Sequence, residues 1–161
     1  MMKKGMDKQG HHAVAIETSD FVTVYLNGQL LGIPVLAIHD VLSAQKITPV
    51  PLAPPSITGV LNLRGRIVTA VDLRTRLGLP ARDKGEKSMS VVVEHAGEPY
   101  SLLIDNVGEV ISVPMEKFER NPRTLDPKWQ EVSSGVCRLD GQLLVILDVD
   151  RLLDFGLGLA A

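Results

Sequence analysis

Aromatic side chains and cysteine are scarce in this sequence. Only 4% of the residues are Phe, Trp or Tyr, and Cys137 is the one cysteine. A single cysteine excludes an internal disulfide and a cysteine-rich zinc site. The shortage of aromatic rings argues against single-strand nucleic-acid binders, because those proteins stack bases on such rings.

Two further absences bear on where the chain works. No apolar run approaches the roughly 18 residues of a membrane-spanning helix, and no apolar segment follows the N-terminal lysines as in a secretory signal. The net charge is −2, from 17 basic and 19 acidic residues, so no overall basic field attracts a polyanion. These features predict a cytoplasmic protein without direct membrane insertion.

The sequence is rich in aliphatic residues and has the length of a single domain. Hydrophobic residues make up 45% of its 161 residues, so Val, Leu and Ile must build the core. Residues 1–19 are polar and unpatterned, which predicts a disordered arm. The ordered domain is expected over residues 20–157, with a short tail at residues 158–161.

Short strand-like runs separated by turn residues begin at Phe21. Apolar residues alternate along the first run, which ends at Asn27-Gly28, a pair typical of two-residue hairpin turns. Four prolines between Pro49 and Pro55 predict a stiff connection, although such a stretch also resembles an SH3-type ligand. The pattern predicts an all-β fold with short helices.

An internal repeat organises these runs. Residues 59–77 and 135–153 both read as strand, Gly turn, strand, Asp and a short helix. At an offset of 76 they share six identities in 19 positions, where composition alone gives about one or two. At an offset of 69, residues 22–43 match residues 91–112. We therefore expect a duplication, with one unit at about 20–80 and a second at about 88–155.

Each unit contains four or five short strands, and a sheet that small removes its free edges best by closing on itself. The repeat therefore predicts two small barrels packed side by side about a pseudo-two-fold axis. Whether each unit forms its own barrel or the units exchange strands stays open.

The repeat also suggests roles for single residues. Asp72 and Asp148 occupy equivalent places before a helix, which favours helix capping over acid–base chemistry. Cys137 aligns with Leu61, which favours core packing over a nucleophile. His39 and His95 have no partner at metal-ligand spacing. We predict no catalytic residue, metal or cofactor.

Arg64 departs from the repeat, because its counterpart is Asp140, a residue that tight turns prefer. Arginine is enriched at interface hot spots, so Arg64 is either a binding residue or a solvated side chain on a loop. The surrounding stretch, Val60 to Lys84, carries a local charge of +4, from six basic and two acidic residues. It is a possible nucleic-acid patch, although we expect its Arg74 and Arg76 to form the solvated face of a short helix.

These residues resemble a known family. The segment GVLNLRGRIVTAVDLRTRLGLP at residues 59–80, and Asn62-Leu63-Arg64-Gly65 above all, resembles the signature hairpin of the CheW family of bacterial chemotaxis coupling proteins. Residues 105–111 resemble that family's D-x-V-x-E-V-I segment. The resemblance spans about Phe21 to Phe155 and implies two SH3-like, five-stranded barrels around a shared hydrophobic core.

The resemblance implies an adaptor rather than an enzyme. It would join the tip helices of methyl-accepting chemoreceptors to the regulatory domain of the histidine kinase CheA. It would be a monomer in isolation and work within membrane-associated arrays. The receptor helix would lie in a groove between the barrels, at the positions that fall here on Ile38, Asp40, Arg64, Gly65, Val91, Val107 and Val110. For the three valines, core packing is the alternative. An adaptor of another receptor–kinase pathway and a nucleic-acid-binding small barrel remain alternative functions.

Overall fold

The computed structural model describes residues 17–83 and 85–154, and this part of the chain contains eleven strands and three short helices. The first repeat unit contributes β1 Thr18–Leu26, β2 Gln29–Pro34, β3 Ile38–Leu42, β4 Ile57–Leu63, β5 Arg66–Asp72 and α1 Leu73–Arg76. The second contributes β6 Met89–His95, β7 Glu98–Ile104, β8 Asn106–Pro114, β9 Phe118–Glu119, α2 Pro127–Val132, β10 Ser133–Leu139, β11 Gln142–Leu147 and α3 Val149–Leu153.

The mostly-β class is confirmed, and the first strand begins earlier than expected. β1 begins at Thr18, two residues before the predicted start of the domain. The rest of the predicted arm, residues 1–16, and the predicted tail lie outside the described residues. Among the described residues no helix is long and apolar enough to cross a membrane, since the longest, α2, has six residues.

The two repeat units exchange hairpins. One sheet has the order β8-β1-β2-β11-β10-β9, and the other has the order β3-β6-β7-β5-β4. Each sheet therefore combines the first hairpin of one unit with the second hairpin and third strand of the other. Apart from β9, which has no counterpart strand, the two orders match when each strand is replaced by its repeat counterpart, and this is compatible with the predicted pseudo-two-fold axis.

Parallel pairing connects hairpins from different units. In the first sheet β2 pairs with β11 through Leu31 and Gly32, opposite Val145 and Ile146. In the second sheet β5 pairs with β7 over four residues, Thr69 to Asp72. The other strand pairings within the sheets are antiparallel. Neither unit can complete its sheet without the other.

The hairpin turns follow the sequence signals. Asn27 and Gly28 have φ angles of 50° and 80°, the left-handed values that a type I′ turn requires. Arg64 and Gly65 adopt φ angles of 52° and 84° in the turn between β4 and β5. The side-chain oxygen of Asn62 accepts the Gly65 N–H at 3.0 Å and so stabilises a turn in which arginine is unfavourable.

The main hydrophobic core is aliphatic, as expected, and is shared by both units. It includes buried residues of both sheets, such as Val24, Val71, Val93 and Val145, together with residues of all three helices. Trp129 of α2 is a buried aromatic exception. Two smaller clusters lie elsewhere, one around Cys137, Phe21 and Leu144 and the other around Leu61, Val68 and Ala70.

Gly59 occupies a place that no side chain fits. A Cβ atom there would overlap the carbonyl oxygen of Thr48, whose backbone exchanges two hydrogen bonds with Val60. The repeat reproduces this contact, because a Cβ atom on Gly135 would lie 2.7 Å from the carbonyl oxygen of Glu119. Both glycines therefore let a neighbouring segment approach the second hairpin of their unit closely.

We expect Gly59→Ala to lower the free energy of unfolding by about 3 kcal/mol, because it adds a backbone clash to a left-handed φ. Gly141→Ala is the control, since Gly141 also has a positive φ of 73° but open space around it. It should cost only about 1 kcal/mol. Urea denaturation measures both, and equal losses would show that the Thr48 contact does not matter.

Candidate partner-binding site

Arg64 and Asp40, two of the predicted site residues, contact each other. Arg64 lies at the tip of the β4–β5 hairpin and Asp40 lies on β3, and β3 and β4 are the two outer strands of the second sheet. Arg64 Nη1 is 2.8 Å from Asp40 Oδ2. The sheet therefore curls until its two edges meet at this ion pair, which is compatible with the predicted barrel.

The Arg64 side chain is open to solvent even though it is paired. It is 76% exposed, whereas that of Asp40 is 22% exposed. An ion pair this exposed contributes only about 0–1 kcal/mol to stability, because water screens it. Because Arg64 is open to solvent, it can also form an ion pair with an acidic group on a partner. Gly65 beside it is exposed and has open space around its α-carbon.

A shallow recess of about 170 Å³ lies beside this ion pair. Its walls combine aliphatic surface from Leu63 and Val68 with charged side chains, among them Arg66 and Glu94. His39 contributes to the rim and lies 3.9 Å from Glu94. The recess is too small for a helix, so it is suited to a single side chain of a partner.

The other predicted positions differ in accessibility. Ile38 and Val107 are half-buried and pack against the main core, while Val110 is 62% exposed. Val91 is fully buried in that core, so core packing, the alternative reading, describes its place. Val91 therefore cannot contact a partner directly and can only pack beneath the residues that line a groove.

Ile38 and Val107 lie on β3 and β8, an outer strand of each sheet. Both strands bulge at matching places, β3 between Ile38 and Asp40 and β8 between Val107 and Val110. A bulge re-aims the side chains that follow it, and here these are Asp40 and Val110. Thr23 Oγ1 donates to the Glu109 carbonyl at 2.7 Å and holds the β8 bulge.

A buried ionic network lies at the start of β8, and nothing in the sequence pattern signalled it. Asp105 accepts two hydrogen bonds from Arg74, at 2.9 Å from Nε and 2.6 Å from Nη2. Arg82 Nε lies 3.1 Å from Asp105, and Arg82 Nη1 lies 3.2 Å from Asp72. Asp105 also accepts the backbone N–H of Asn27 at 2.7 Å.

The prediction that Arg74 is solvated is therefore wrong. Arg74 is 8% exposed and is enclosed by Asp105 and the Pro80 carbonyl. The expectation for Arg76 is also wrong, because its Nε donates to the Leu152 carbonyl at 2.8 Å. A helix of four residues has too little periodicity to show which face is buried.

The same contacts weaken the nucleic-acid alternative. Arg64, Arg74 and Arg82 form ion pairs with carboxylates, and Arg76 contacts backbone carbonyls. Lys84 lies outside the described residues. Three of the five arginines that the structure describes in this stretch are thus paired with carboxylates, and Arg66 is exposed at the start of β5.

The predictions for the two helix-capping aspartates and for the cysteine are confirmed. Asp72 accepts the Arg74 N–H at 3.0 Å and Asp148 accepts the Arg151 N–H at 3.2 Å, so both cap helices. Cys137 is fully buried, and burial raises the pKa of its thiol to about 11. A thiol with such a pKa is protonated at neutral pH and is a poor nucleophile.

Several known chemotaxis proteins are similar to this chain. Residues 20–155 match the CheW-like domain. The chain belongs to this family. It is 27% identical over 144 residues to the chemotaxis protein CheW of Treponema pallidum (strain Nichols), a match covering 87% of this chain and 85% of the relative. It is 28% identical over 140 residues to that of Bacillus subtilis (strain 168), covering 86% and 90%.

The fold matches as well. The chain is similar to the scaffolding protein TtCheW from Thermoanaerobacter tengcongensis, with a TM-score of 0.77 and 29% identity, covering 87% of this chain and 95% of that one. Family, relatives and fold together confirm that this CheW-like chain is a chemotaxis coupling adaptor. The family is one of scaffolds, which are generally not catalysts.

Asp105 should make the stability of the protein sensitive to acid. Burial, the largest single influence, raises the pKa of Asp105, but the hydrogen bonds from Arg74 and Asn27 and the charges of Arg74 and Arg82 outweigh it and lower the pKa. A carboxylate with a lowered pKa stabilises the fold fully above its unfolded-state pKa of about 3.9, and this contribution is lost as pH falls through the folded value.

We therefore expect wild type to be more stable than Asp105→Asn by a constant margin above about pH 5. The margin should shrink below about pH 4. Denaturant midpoints of both proteins between pH 3 and pH 7 measure it. A margin that stays the same down to pH 3 would contradict the lowered pKa.

Proposed function

We propose that this CheW-like adaptor binds the tip helices of chemoreceptors with the surface formed by Arg64, Gly65, Asp40, Ile38, Val107 and Val110. It binds the regulatory domain of the kinase CheA with another surface, and so places the two proteins together in arrays at the membrane. These are the positions that the family resemblance implied, without the fully buried Val91. The exposed ion pair between Arg64 and Asp40 is the observation that carries the proposal.

Three features of this surface suit helix recognition. Half-buried Ile38 and Val107 offer aliphatic walls, and exposed Val110 adds apolar surface on the same strand as Val107. Arg64 and Asp40 add a charged rim that can form ion pairs with a helix. The bulges in β3 and β8 aim these groups away from the regular sheet.

Arg64 should be an anchor for the receptor. We expect Arg64→Glu to weaken binding to a receptor cytoplasmic fragment at least about tenfold, or about 1.4 kcal/mol, because it replaces a rim cation by an anion. It would also place the new carboxylate beside Asp40. Binding to the isolated kinase regulatory domain should change little. Titration calorimetry with each partner measures both effects.

Arg138→Glu is the matched control. Arg138 is likewise exposed, at 65%, and forms an ion pair with Glu119 in the other sheet. Its reversal should leave receptor affinity unchanged. If Arg64→Glu binds the receptor fragment as well as wild type does, the role given to Arg64 is wrong. If both reversals weaken binding equally, net charge rather than this surface determines affinity.

The same surface would serve an adaptor of another receptor–kinase pathway. The kinase that co-purifies with the tagged chain from its own cells distinguishes the two cases. Recovery of CheA with chemoreceptors supports the chemotaxis pathway, and recovery of a different kinase supports the other. Size-exclusion chromatography of the purified chain tests the predicted monomer.

A further inference from the structure

Asp105 forms hydrogen bonds or ion pairs with three separate parts of the chain. Its carboxylate contacts Arg74 of α1, Arg82 of the segment between the repeat units, and the Asn27 N–H of the β1–β2 turn. Its own N–H donates to the Tyr25 carbonyl at 3.1 Å. Asp105 is also the last residue before β8, the strand that carries Val107 and Val110.

The other half of the molecule folds without such a network. At the repeat offset of 69, the counterpart of Asp105 is Leu36, which is 99% exposed. At the offset of 76, the counterpart of Arg74 is Asp150, which contacts His95 at 2.9 Å. The same strand order forms around both sets of residues, so the fold itself does not require the network.

Stability alone also explains the network poorly. Burying charges costs desolvation energy, and a buried ion pair often stabilises a fold no more than apolar residues of the same volume. Such pairs fix a geometry instead, because the charges tolerate few arrangements. The role of the network must therefore be sought at β8, the strand whose geometry Asp105 controls.

The register of β8 against β1 determines where Val107 and Val110 lie. β8 is an outer strand, and it bulges between Val107 and Val110, where three steps along β8 oppose two along β1. Because β8 pairs only with β1 and its bulge re-aims the side chains beside it, the places of Val107 and Val110 depend on where that bulge falls. Asp105 anchors β8 on one side of the bulge, only two residues before Val107.

We propose that Asp105, held by Arg74 and Arg82, is a positioning residue that fixes the start of β8 and so aligns Val107 and Val110 for the receptor helix. This inference rests on the proposed function, because it concerns the same binding surface. β3 has the corresponding carboxylate after its bulge, where Asp40 pairs with Arg64. Each of the two strands is thus held by one aspartate and at least one arginine.

Hydrogen exchange of the free protein tests the positioning directly. In Asp105→Asn, the amides of residues 106–111 should exchange at least about fivefold faster than in wild type, since local opening governs their exchange. Arg82→Gln is the milder second variant, in which Arg74 still binds Asp105, and it should show a smaller increase. Unchanged exchange of these amides in a folded Asp105→Asn overturns the proposal.

Binding measurements test the consequence. Asp105→Asn should bind a receptor cytoplasmic fragment about tenfold more weakly, as expected for residues that act on a site through its frame. Its affinity for the kinase regulatory domain should stay within about twofold of wild type. Leu144→Ala, in the cluster around Cys137, is the control for general destabilisation and should alter neither affinity.

The outcomes separate the two claims. Faster exchange with undiminished receptor affinity overturns the positioning role while the proposed function stands. An equal loss of receptor affinity in Leu144→Ala also overturns it, because general destabilisation then explains both variants. If wild type binds no receptor fragment, the proposed function fails, and the exchange data alone decide whether Asp105 holds β8.

Discussion

Parallel pairing between hairpins of different repeat units is the constraint on which the rest of this structure depends. One edge of β2 pairs with β1 of its own hairpin, and the other edge finds its partner in β11. In the same way β5 pairs with β4 on one edge and with β7 on the other. Because each parallel pairing crosses between units, the core between the sheets draws residues from both. The outer strands β3 and β8 are then left at equivalent positions, and the candidate binding residues lie on them or beside them.

Much of this could be predicted from sequence, because a repeat reports on equivalent environments. Asp72 and Asp148 cap equivalent helices, and Cys137 is buried like its counterpart Leu61. The hairpin exchange could not be predicted, since both arrangements contain the same hairpins and differ only in which ones lie side by side. The burial of Arg74 was missed for a related reason, because its partner Asp105 lies 31 residues away.

Differences between the repeats are as informative as their identities. Arg64 stands where the second unit has Asp140, and Asp105 stands where the first has Leu36. At both places the fold accepts either residue, so folding does not explain the choice. Arg64, at the tip of the β4–β5 hairpin, contacts Asp40 of β3, and Asp105 directly precedes β8. Both departures from the repeat therefore adjoin the two strands of the candidate surface, which is the pattern expected when binding rather than folding determines a residue.

The two arginine–aspartate contacts differ in how far their arginine side chains are exposed to solvent. Arg64 is mostly exposed, so water already competes for it, and it can form an ion pair with a partner carboxylate while it stays beside the more enclosed Asp40. Arg74 and Asp105 are mostly buried, so separating them would leave two desolvated charges. The exposed Arg64 can therefore accept a further carboxylate when a partner binds, whereas the buried pair of Arg74 and Asp105 must stay closed. A surface that must accept a partner and keep its shape needs both kinds.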